Sequence, residues 1–280
     1  MRYRSLPDGD RIPVIGLGTW RMGGGSEPDP SQDKQVLDAL HTALELGYTH
    51  IDTAEMYGGG HTEELIGQVI RDSDRKTLFI TSKVWHTNLH YRDVLHACEN
   101  SLRRLGTDYL DLYMIHWPDA AVPLEDTFRG LNELVSAGLV RHLGVSNFEL
   151  DQLIEARQLS TTPLVTDQVP YSLLDRTCAE NGLLAYCQEK SMVLTAYSPV
   201  SKGKVNELEK LTTIARQIGA TPTQVALSWL INQANVIAIP KSLNPEHLRQ
   251  NLEALDLLLG EDELAILNQL AEGGKGEAAQ

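Results

Sequence analysis

Short apolar segments alternate with amphipathic ones along nearly the whole chain, and this alternation limits the possible folds more than any other feature. The apolar segments lie at 13–20 and near 49–53, 78–83, 109–115, 140–145, 164–169, 192–197 and 235–239. Helices are predicted near 33–46, 62–72, 91–105, 126–137, 149–159, 178–190, 206–232 (broken at Pro222), 244–256 and 261–271, before a glycine- and alanine-rich tail. Strands that are apolar along their whole length are typical of a parallel sheet covered by helices on both faces.

Eight such strands without a break in composition favour a closed barrel over an open, doubly wound sheet. The length of 280 residues suits a single (β/α)8 barrel. A doubly wound dinucleotide-binding sheet would need a Gly-x-Gly-x-x-Gly turn after its first strand, but Arg21 replaces the third glycine of that pattern. No Walker-type phosphate loop occurs, and residues 2–12 predict a hairpin with its turn at Pro7–Asp10. We therefore predict the α/β class and one domain over 1–280, a (β/α)8 TIM barrel with an N-terminal β-hairpin.

Composition and charge argue against several classes of partner. A formal net charge of −14 disfavours binding to nucleic acid or to an anionic membrane. No segment approaches the roughly 20 apolar residues of a membrane span, and the first residues lack the apolar stretch of a signal peptide. Cys98, Cys178 and Cys187 form no Cys-x-x-Cys pair, so neither a disulfide nor a metal site is expected. We expect a reduced, cytoplasmic protein that is a monomer or a weak oligomer.

The ends of the predicted strands carry polar or aromatic side chains. In a barrel, the carboxyl ends of the strands line one mouth, where active sites are built. The residues at these ends are Thr19, Trp20, Asp52, Lys83, Trp85, His116, Trp117, Ser146, Asn147, Gln168, Tyr197, Ser198, Lys241 and Ser242. Tyr57 follows Asp52 by five residues and opens a glycine-rich turn, Gly58–Gly60. Each side chain alone has a structural explanation, such as a turn cap or an ion pair, but a purely structural barrel has no need of all of them at one mouth.

This set of groups suits proton donation to a carbonyl oxygen. A free tyrosine has a pKa of about 10, too high for an efficient acid at neutral pH, and a nearby ammonium lowers that pKa. We expect Lys83 to supply the ammonium, with Asp52 as the counter-ion that holds it in place. His116 would direct a substrate oxygen by hydrogen bonding. Three tryptophans would make the surrounding pocket apolar: Trp20, Trp85 and Trp117.

These motifs resemble those of the aldo-keto reductase family, and the resemblance extends from Gly16 to Asn251. The family's tetrad of aspartate, tyrosine, lysine and histidine falls on Asp52, Tyr57, Lys83 and His116. The segments that surround these residues occur in the family's order and spacing: Asp52–Gly58, Ile80–Trp85 and Asp111–Trp117. The resemblance implies reduction of an aldehyde or ketone to an alcohol, with hydride from a nicotinamide cofactor and a proton from Tyr57.

The resemblance also implies how the cofactor and the substrate bind. Gly144–Asn147 resembles the segment that holds the carboxamide, Tyr197 the aromatic on which the nicotinamide stacks, and Ile239–Ser242 the site of the adenosine 2′-phosphate. A lysine and a hydroxyl beside a helix N-terminus suit a phosphate on physical grounds as well. The implied cofactor contacts are Thr19, Trp20, Asp52, Ser146, Asn147, Gln168, Tyr197, Ser198, Pro199, Val200, Lys241, Ser242, His247, Gln250 and Asn251. The implied substrate contacts are Trp20, Trp85, His116 and Trp117.

The chain departs from the family pattern at the predicted phosphate site. Many members carry an arginine five residues after the serine, where this chain has His247. Arg249 lies two residues further on, and an offset of two on a helix points to another face. We therefore predict NADPH as the preferred cofactor, through Lys241, by a smaller margin than in members with the arginine and with NADH still usable.

The predicted substrate site is open. The loop from Trp117 to Asp126 is short, and little chain follows the last predicted helix, whereas family members with long loops there enclose the pocket. This favours small aldehydes, α-dicarbonyls or a broad substrate range over a bulky steroid. His116 favours carbonyl reduction, because reduction of a conjugated double bond goes with a glutamate at that position in the family.

Two other functions compete with a reductase. A cofactor-binding regulatory subunit without significant turnover would share the fold, although the intact tetrad weighs against it. A barrel aldolase that forms a Schiff base on Lys83 would explain the lysine, but it would leave Tyr57 and the Lys241–Ser242 site without a role.

Overall fold

Eight parallel strands form one curled sheet in which every strand pairs with its neighbour in the sequence. The computed structural model describes residues 1–270, so the predicted tail lies outside the described residues. The strands are β3 (Leu17–Gly18), β4 (His50–Asp52), β5 (Phe79–Val84), β6 (Leu110–Ile115), β7 (Val140–Ser146), β8 (Leu164–Pro170), β9 (Val193–Tyr197) and β10 (Val236–Ala238). Every residue of β5 and β6 is buried, as expected for strands covered on both faces.

The sheet closes on itself between its first and last strands. Ile15 forms a parallel bridge with Ala238, and the Gly16 N–H donates to the Ala238 carbonyl oxygen at 2.9 Å. Further along, the Gly18 N–H donates to the Pro240 carbonyl oxygen at 3.2 Å. A Cβ on Gly18 would lie 2.6 Å from the Ile239 carbonyl oxygen, so this close approach requires glycine. The predicted (β/α)8 barrel is confirmed.

The predicted N-terminal hairpin is also confirmed. Strands β1 (Tyr3–Ser5) and β2 (Arg11–Pro13) pair antiparallel. Two carboxylates of the turn lie against the imidazole of His142 on β7: Asp8 Oδ2 is 2.7 Å from Nδ1, and Asp10 Oδ2 is 3.2 Å from Nε2. The hairpin therefore lies near the start of β7, away from the carboxyl ends of the strands. Pro13 belongs to this hairpin, so the first barrel strand is shorter than the predicted 13–20.

Helices follow the strands around the barrel. They are α1 (Asp33–Leu46), α2 (His61–Ile70), α3 (Tyr91–Leu105), α4 (Leu124–Ser136), α5 (Leu150–Leu159), α6 (Thr177–Glu180), α7 (Leu183–Glu189), α8 (Glu209–Gln217), α9 (Pro222–Ile231), α10 (Pro245–Glu253) and α11 (Glu261–Leu270). Short 3₁₀ turns at Tyr57–Gly60, His86–Asn88 and Ser201–Glu207 lie in the connections that follow β4, β5 and β9.

Two helix predictions differ from the structure. The single helix predicted at 178–190 is two helices, α6 and α7, because Gly182 between them adopts a left-handed φ of 88°. The predicted break at Pro222 is confirmed: Thr221 caps α9, and Pro222 takes its first position. The preceding helix begins at Glu209 instead of 206, because a 3₁₀ turn whose first three residues, Ser201 to Gly203, have positive φ comes first.

Candidate active site

Lys83 joins the predicted catalytic groups beneath the mouth of the barrel. Its ammonium donates to Asp52 Oδ1 at 2.6 Å, to the Thr53 carbonyl oxygen at 2.8 Å and to the Tyr57 hydroxyl at 3.5 Å. The three N–H donors of the ammonium therefore all have acceptors. Lys83 is 0% exposed, and such a buried charge requires this degree of compensation.

His116 completes the group. It follows β6, and its ring meets the Tyr57 ring edge to face at a centroid distance of 5.6 Å. Burial lowers the pKa of His116 to about 2, with smaller contributions from Lys83 and His86, so the imidazole is neutral at physiological pH. Its Nδ1 is buried and has no hydrogen-bond partner among residues 1–270. The structure thus brings all four predicted tetrad residues together.

A sharp turn presents Tyr57 to this group. Three consecutive glycines, Gly58 to Gly60, adopt φ values of 58°, 58° and 99° before α2 begins. The Gly58 N–H donates to the Gly25 carbonyl oxygen at 2.6 Å, and a Cβ on Gly58 would lie 2.6 Å from the Gly23 carbonyl oxygen. Because L-residues rarely adopt this backbone, the glycine run allows the chain to turn directly after the tyrosine.

The pKa of Tyr57 differs from the expectation drawn from the sequence. Burial raises the pKa of the phenol, while the Lys83 ammonium lowers it and the Asp52 carboxylate raises it. The expected effect of Lys83 is present, but burial outweighs it and the net direction is upward. The phenol therefore keeps its proton at neutral pH, which is the state that a proton donor requires. Burial opposes the charge on Lys83, but its neighbours Asp52 and Tyr57 raise the lysine pKa above its ordinary value.

A cleft of about 950 Å³ opens beside the tetrad and runs to α10. All residues that were predicted to contact a cofactor line it: Thr19, Trp20, Asp52, Ser146, Asn147, Gln168, Tyr197, Ser198, Pro199, Val200, Lys241, Ser242, His247, Gln250 and Asn251. Tyr57, His116 and Trp117 line it as well, whereas Lys83 lies behind the wall and Trp85 is not a lining residue. The Trp85 ring packs against His116 instead, at a centroid distance of 5.1 Å.

Asn147 organises the inner end of this cleft. Its backbone is left-handed, with φ 62°, and its amide Nδ2 donates to the His116 carbonyl oxygen at 3.0 Å. The Tyr197 hydroxyl donates to Asn147 Oδ1 at 2.9 Å, and Ser146 Oγ donates to the Gln168 carbonyl oxygen at 2.8 Å. The ends of β6, β7, β8 and β9 are thereby tied together, and the Tyr197 ring is fixed beside the cleft.

Lys241 lines the outer end of the cleft, and the charge of a second cation, Arg21, acts on it. Burial and the neighbouring guanidinium of Arg21 both lower the pKa of Lys241. Within the described part of the chain, neither Lys241 nor Arg21 has a carboxylate partner, although acidic residues outnumber basic ones in the sequence. Arg249 is directed elsewhere, as predicted, because Glu246 and Glu253 bind its guanidinium on the surface of α10. A lining lysine without a carboxylate partner, in the field of a second cation, is suited to binding an anion.

The mouth above the tetrad is wide and apolar. Trp20 and Trp117 line the cleft and are 40% and 43% exposed. The loop between His116 and α4 is short, since α4 begins at Leu124. The open site expected from the sequence is consistent with these exposures.

Comparison with known proteins identifies the family. The model of the aldo/keto reductase family matches residues 14–272. The chain belongs to the aldo/keto reductase family. This agrees with the resemblance found in the sequence. Members of this family are oxidoreductases, so the chain belongs to that class of enzyme.

Several known aldo/keto reductases are similar over nearly their full length. A curated relative, methylglyoxal reductase YeaE of Escherichia coli, is 39% identical over 274 residues, which cover 96% of this chain and 94% of the relative. The solved structure of the thermostable aldo-keto reductase Tm1743 with the inhibitor epalrestat is 49% identical, with a TM-score of 0.93 and coverage of 96% and 100%. An aldo/keto reductase of Klebsiella pneumoniae, solved with NADP and acetate, is 37% identical, with a TM-score of 0.88 and coverage of 96% and 95%.

This aldo/keto reductase lines its cleft with residues that the sequence analysis missed. The Ser201–Glu207 turn and the start of α9 contribute Lys202, Gly203, Asn206, Thr221, Pro222 and Thr223. Thr221 and Pro222 carried a usable signal, because a threonine before a proline marks a helix start. Arg21 carried no such signal, since only the fold brings it to Lys241.

Over residues 1–270, no group of three or more histidine, cysteine or acidic side chains could hold a metal ion. All three cysteines are free and buried. None of the helices within residues 1–270 is both long enough and apolar enough to span a bilayer.

Proposed function

We propose that this chain is an NADPH-dependent carbonyl reductase that converts small aldehydes or α-dicarbonyls to alcohols, with Tyr57 as the proton donor. The observation that carries the proposal is the Lys83 ammonium, which is fully buried and reaches both Asp52 Oδ1 and the Tyr57 hydroxyl. It lies behind the wall of a cleft of about 950 Å³ that extends from the tetrad to residues of α10. The relative that is a methylglyoxal reductase supports an α-dicarbonyl substrate.

The residues of the cleft fit the cofactor. Lys241 lines the outer end of the cleft and offers positive charge for a phosphate, and Ser242 adds a hydroxyl there. The charge of Arg21 acts on Lys241 from outside the lining. At the inner end, Asn147 and Gln168 present amides near the Tyr197 ring, where a nicotinamide would bind. When bound there, NADPH supplies the hydride that the carbonyl carbon accepts. The relatives solved with NADP or NADPH support this choice of cofactor.

The residues of the tetrad supply the rest of the chemistry. Tyr57 donates its hydroxyl proton to the carbonyl oxygen as hydride reaches the carbon, so the alcohol leaves neutral. The Lys83 ammonium stabilises the phenolate that remains, and Asp52 keeps Lys83 charged. His116 is neutral and can donate one N–H hydrogen bond that orients the carbonyl oxygen.

The aldolase alternative does not suit this geometry. A Schiff base requires an unprotonated amine that a substrate carbonyl can reach. Lys83 is 0% exposed, and its pKa is raised by Asp52 and Tyr57, so the nitrogen is both enclosed and protonated.

The test is NADPH oxidation with methylglyoxal and with an aromatic aldehyde. We expect turnover by the native protein, and we expect Tyr57→Phe to reduce kcat by about 100-fold to 10,000-fold while leaving NADPH affinity nearly unchanged. Tyr91→Phe is the matched control, since Tyr91 lies on α3 and binds Glu133. Substantial turnover by Tyr57→Phe would exclude Tyr57 as the donor. Tight NADPH binding without turnover by the native protein would favour the regulatory subunit.

A further inference from the structure

Glu55 lies between Asp52 and Tyr57 in the sequence but binds a different part of the mouth. Its carboxylate Oε1 accepts hydrogen bonds from the Trp85 backbone N–H at 2.6 Å and from Asn88 Nδ2 at 3.0 Å. Its own backbone N–H donates to the Lys83 carbonyl oxygen at 3.3 Å. Three hydrogen bonds therefore join Glu55 to the segment 83–88, which ends β5 and forms the next turn.

The hydrogen bond to Trp85 replaces a missing strand partner. Strand β5 ends at Val84, whose carbonyl oxygen still accepts the His116 N–H at 3.0 Å. One residue later, the Trp85 N–H has no neighbouring strand, and its acceptor is Glu55 Oε1. Removing the carboxylate would leave the Trp85 amide without its acceptor, and the backbone of Trp85 would then be free to move.

The segment held in this way lies behind the site and supports residues on its substrate side. The Trp85 ring packs edge to face on His116 at 5.1 Å and lies 4.6 Å from the ring of His86. The imidazole of His86 in turn lies 3.8 Å from Asp119 Oδ2, in the short loop after Trp117. A shift of segment 85–88 would therefore move the support of His116 and of the loop that carries Trp117. Among the described residues, no hydrogen bond or ion pair joins this segment to Lys241 at the outer end of the cleft.

We propose that Glu55 is a positioning residue that sets the affinity for the carbonyl substrate by fixing Trp85 behind His116. This inference rests on the proposed reductase function. Glu55 does not line the cleft and so touches neither substrate nor cofactor. It acts through a backbone hydrogen bond, so a neutral acceptor of the same length can replace it.

Kinetics of three variants test the role. We expect Glu55→Ala to lower kcat/KM for methylglyoxal by about 10-fold to 100-fold, mainly through KM, with NADPH affinity unchanged. Glu55→Gln keeps an oxygen that can accept both hydrogen bonds, so we expect its KM to stay within about threefold of the native value. Glu64→Ala is the matched control, because this carboxylate is nearby in the sequence but is 55% exposed on α2.

Hydrogen exchange of the Trp85 amide gives a readout that does not depend on turnover. Exchange should accelerate at least about tenfold in Glu55→Ala and remain near native in Glu55→Gln. A native KM in Glu55→Ala, equal losses in the alanine and glutamine variants, or a parallel loss of NADPH affinity would each overturn the inference. Absence of turnover in the native protein would instead overturn the proposed function itself.

Discussion

Gln168 donates a hydrogen bond from Nε2 to Asp52 Oδ2 at 2.7 Å, which joins β8 to β4 across the barrel. The other carboxylate oxygen, Oδ1, accepts from Lys83 at 2.6 Å. Both oxygens of Asp52 are therefore engaged by donors, and the residue is 1% exposed. Asp52 is in a position to fix Lys83 and Gln168, which suits a structural role better than proton exchange with substrate.

Asp52→Asn should impair catalysis by releasing the proton of Lys83. The asparagine leaves a buried ammonium without a counter-ion, so the pKa of Lys83 should fall. We expect kcat to drop by at least about tenfold and the alkaline limb of the pH profile to move to lower pH, because the neutral amine forms more readily. The measurement is kcat against pH. An unchanged profile would contradict a role for Asp52 in holding the lysine charge.

Loss of the Asp52–Lys83 ion pair should also destabilise the fold. A second substitution, at Lys83, should restore the lost stability. Removing one partner of a buried pair costs about 3–5 kcal/mol, because the other charge stays buried and unpaired. The double variant Asp52→Asn with Lys83→Met has no buried charge at this site. Its free energy of unfolding in urea should therefore recover toward the native value, while its activity stays low.

Cofactor preference should depend on Arg21 more than on Arg249. The guanidinium of Arg21 lies near Lys241 without a carboxylate partner in residues 1–270, whereas Glu246 and Glu253 bind that of Arg249. We expect Arg21→Ala to lower the NADPH to NADH ratio of kcat/KM by about tenfold, since hydrogen bonds between charged groups are worth about 1.5–3 kcal/mol. Arg249→Ala should leave the ratio unchanged. His247→Arg should raise it, by adding a permanent charge at a lining position.

The Tyr57 turn offers a matched pair of glycine substitutions. Gly58 and Gly59 share φ 58°, so alanine meets similar backbone strain at both, about 1 kcal/mol. A Cβ on Gly58 would lie 2.6 Å from the Gly23 carbonyl oxygen, whereas on Gly59 its nearest atom is 3.4 Å away. We expect Gly58→Ala to destabilise the fold by about 1–3 kcal/mol more than Gly59→Ala and to lower kcat, because the displaced turn carries Tyr57. Urea unfolding and kcat should be measured for both variants. Equal losses of stability and of kcat in Gly58→Ala and Gly59→Ala would contradict the prediction.

The placement of the tetrad could be predicted because a parallel barrel brings all carboxyl strand ends to one mouth. Asp52, Lys83 and His116 needed only their strand assignments to be placed together. The proximity of Arg21 to Lys241 joins residues 220 positions apart through side chains, and no local pattern encodes it. The net rise of the Tyr57 pKa depends on its depth of burial, which the sequence does not give. Trp85 is set back from the cleft because Glu55 and the turn after β5 hold it behind His116.

Asp167 should make the fold less stable as the pH rises. It follows Thr166 on β8 and is 0% exposed, and neither carboxylate oxygen has a hydrogen-bond partner among the described residues. Burial raises its pKa well above the ordinary value, more than the nearby Phe148 and Gln168 backbone N–H groups lower it. The folded state therefore binds this proton more tightly than the unfolded state does. The contribution of Asp167 to stability is fully present below the unfolded pKa of about 3.9, and it is lost as the pH rises toward the folded pKa.

Asp167→Asn removes this dependence, because the amide never ionises. We expect the variant to be more stable than the native protein at pH 8 by about 1–3 kcal/mol, with a Tm higher by about 2–10 °C. At about pH 3 the two proteins should differ little, since the native carboxyl is then largely protonated in both states. Calorimetric scans at the two pH values measure the difference. If Asp167→Asn were more stable than the native protein by the same amount at both pH values, packing would account for the gain instead of ionisation of the carboxyl.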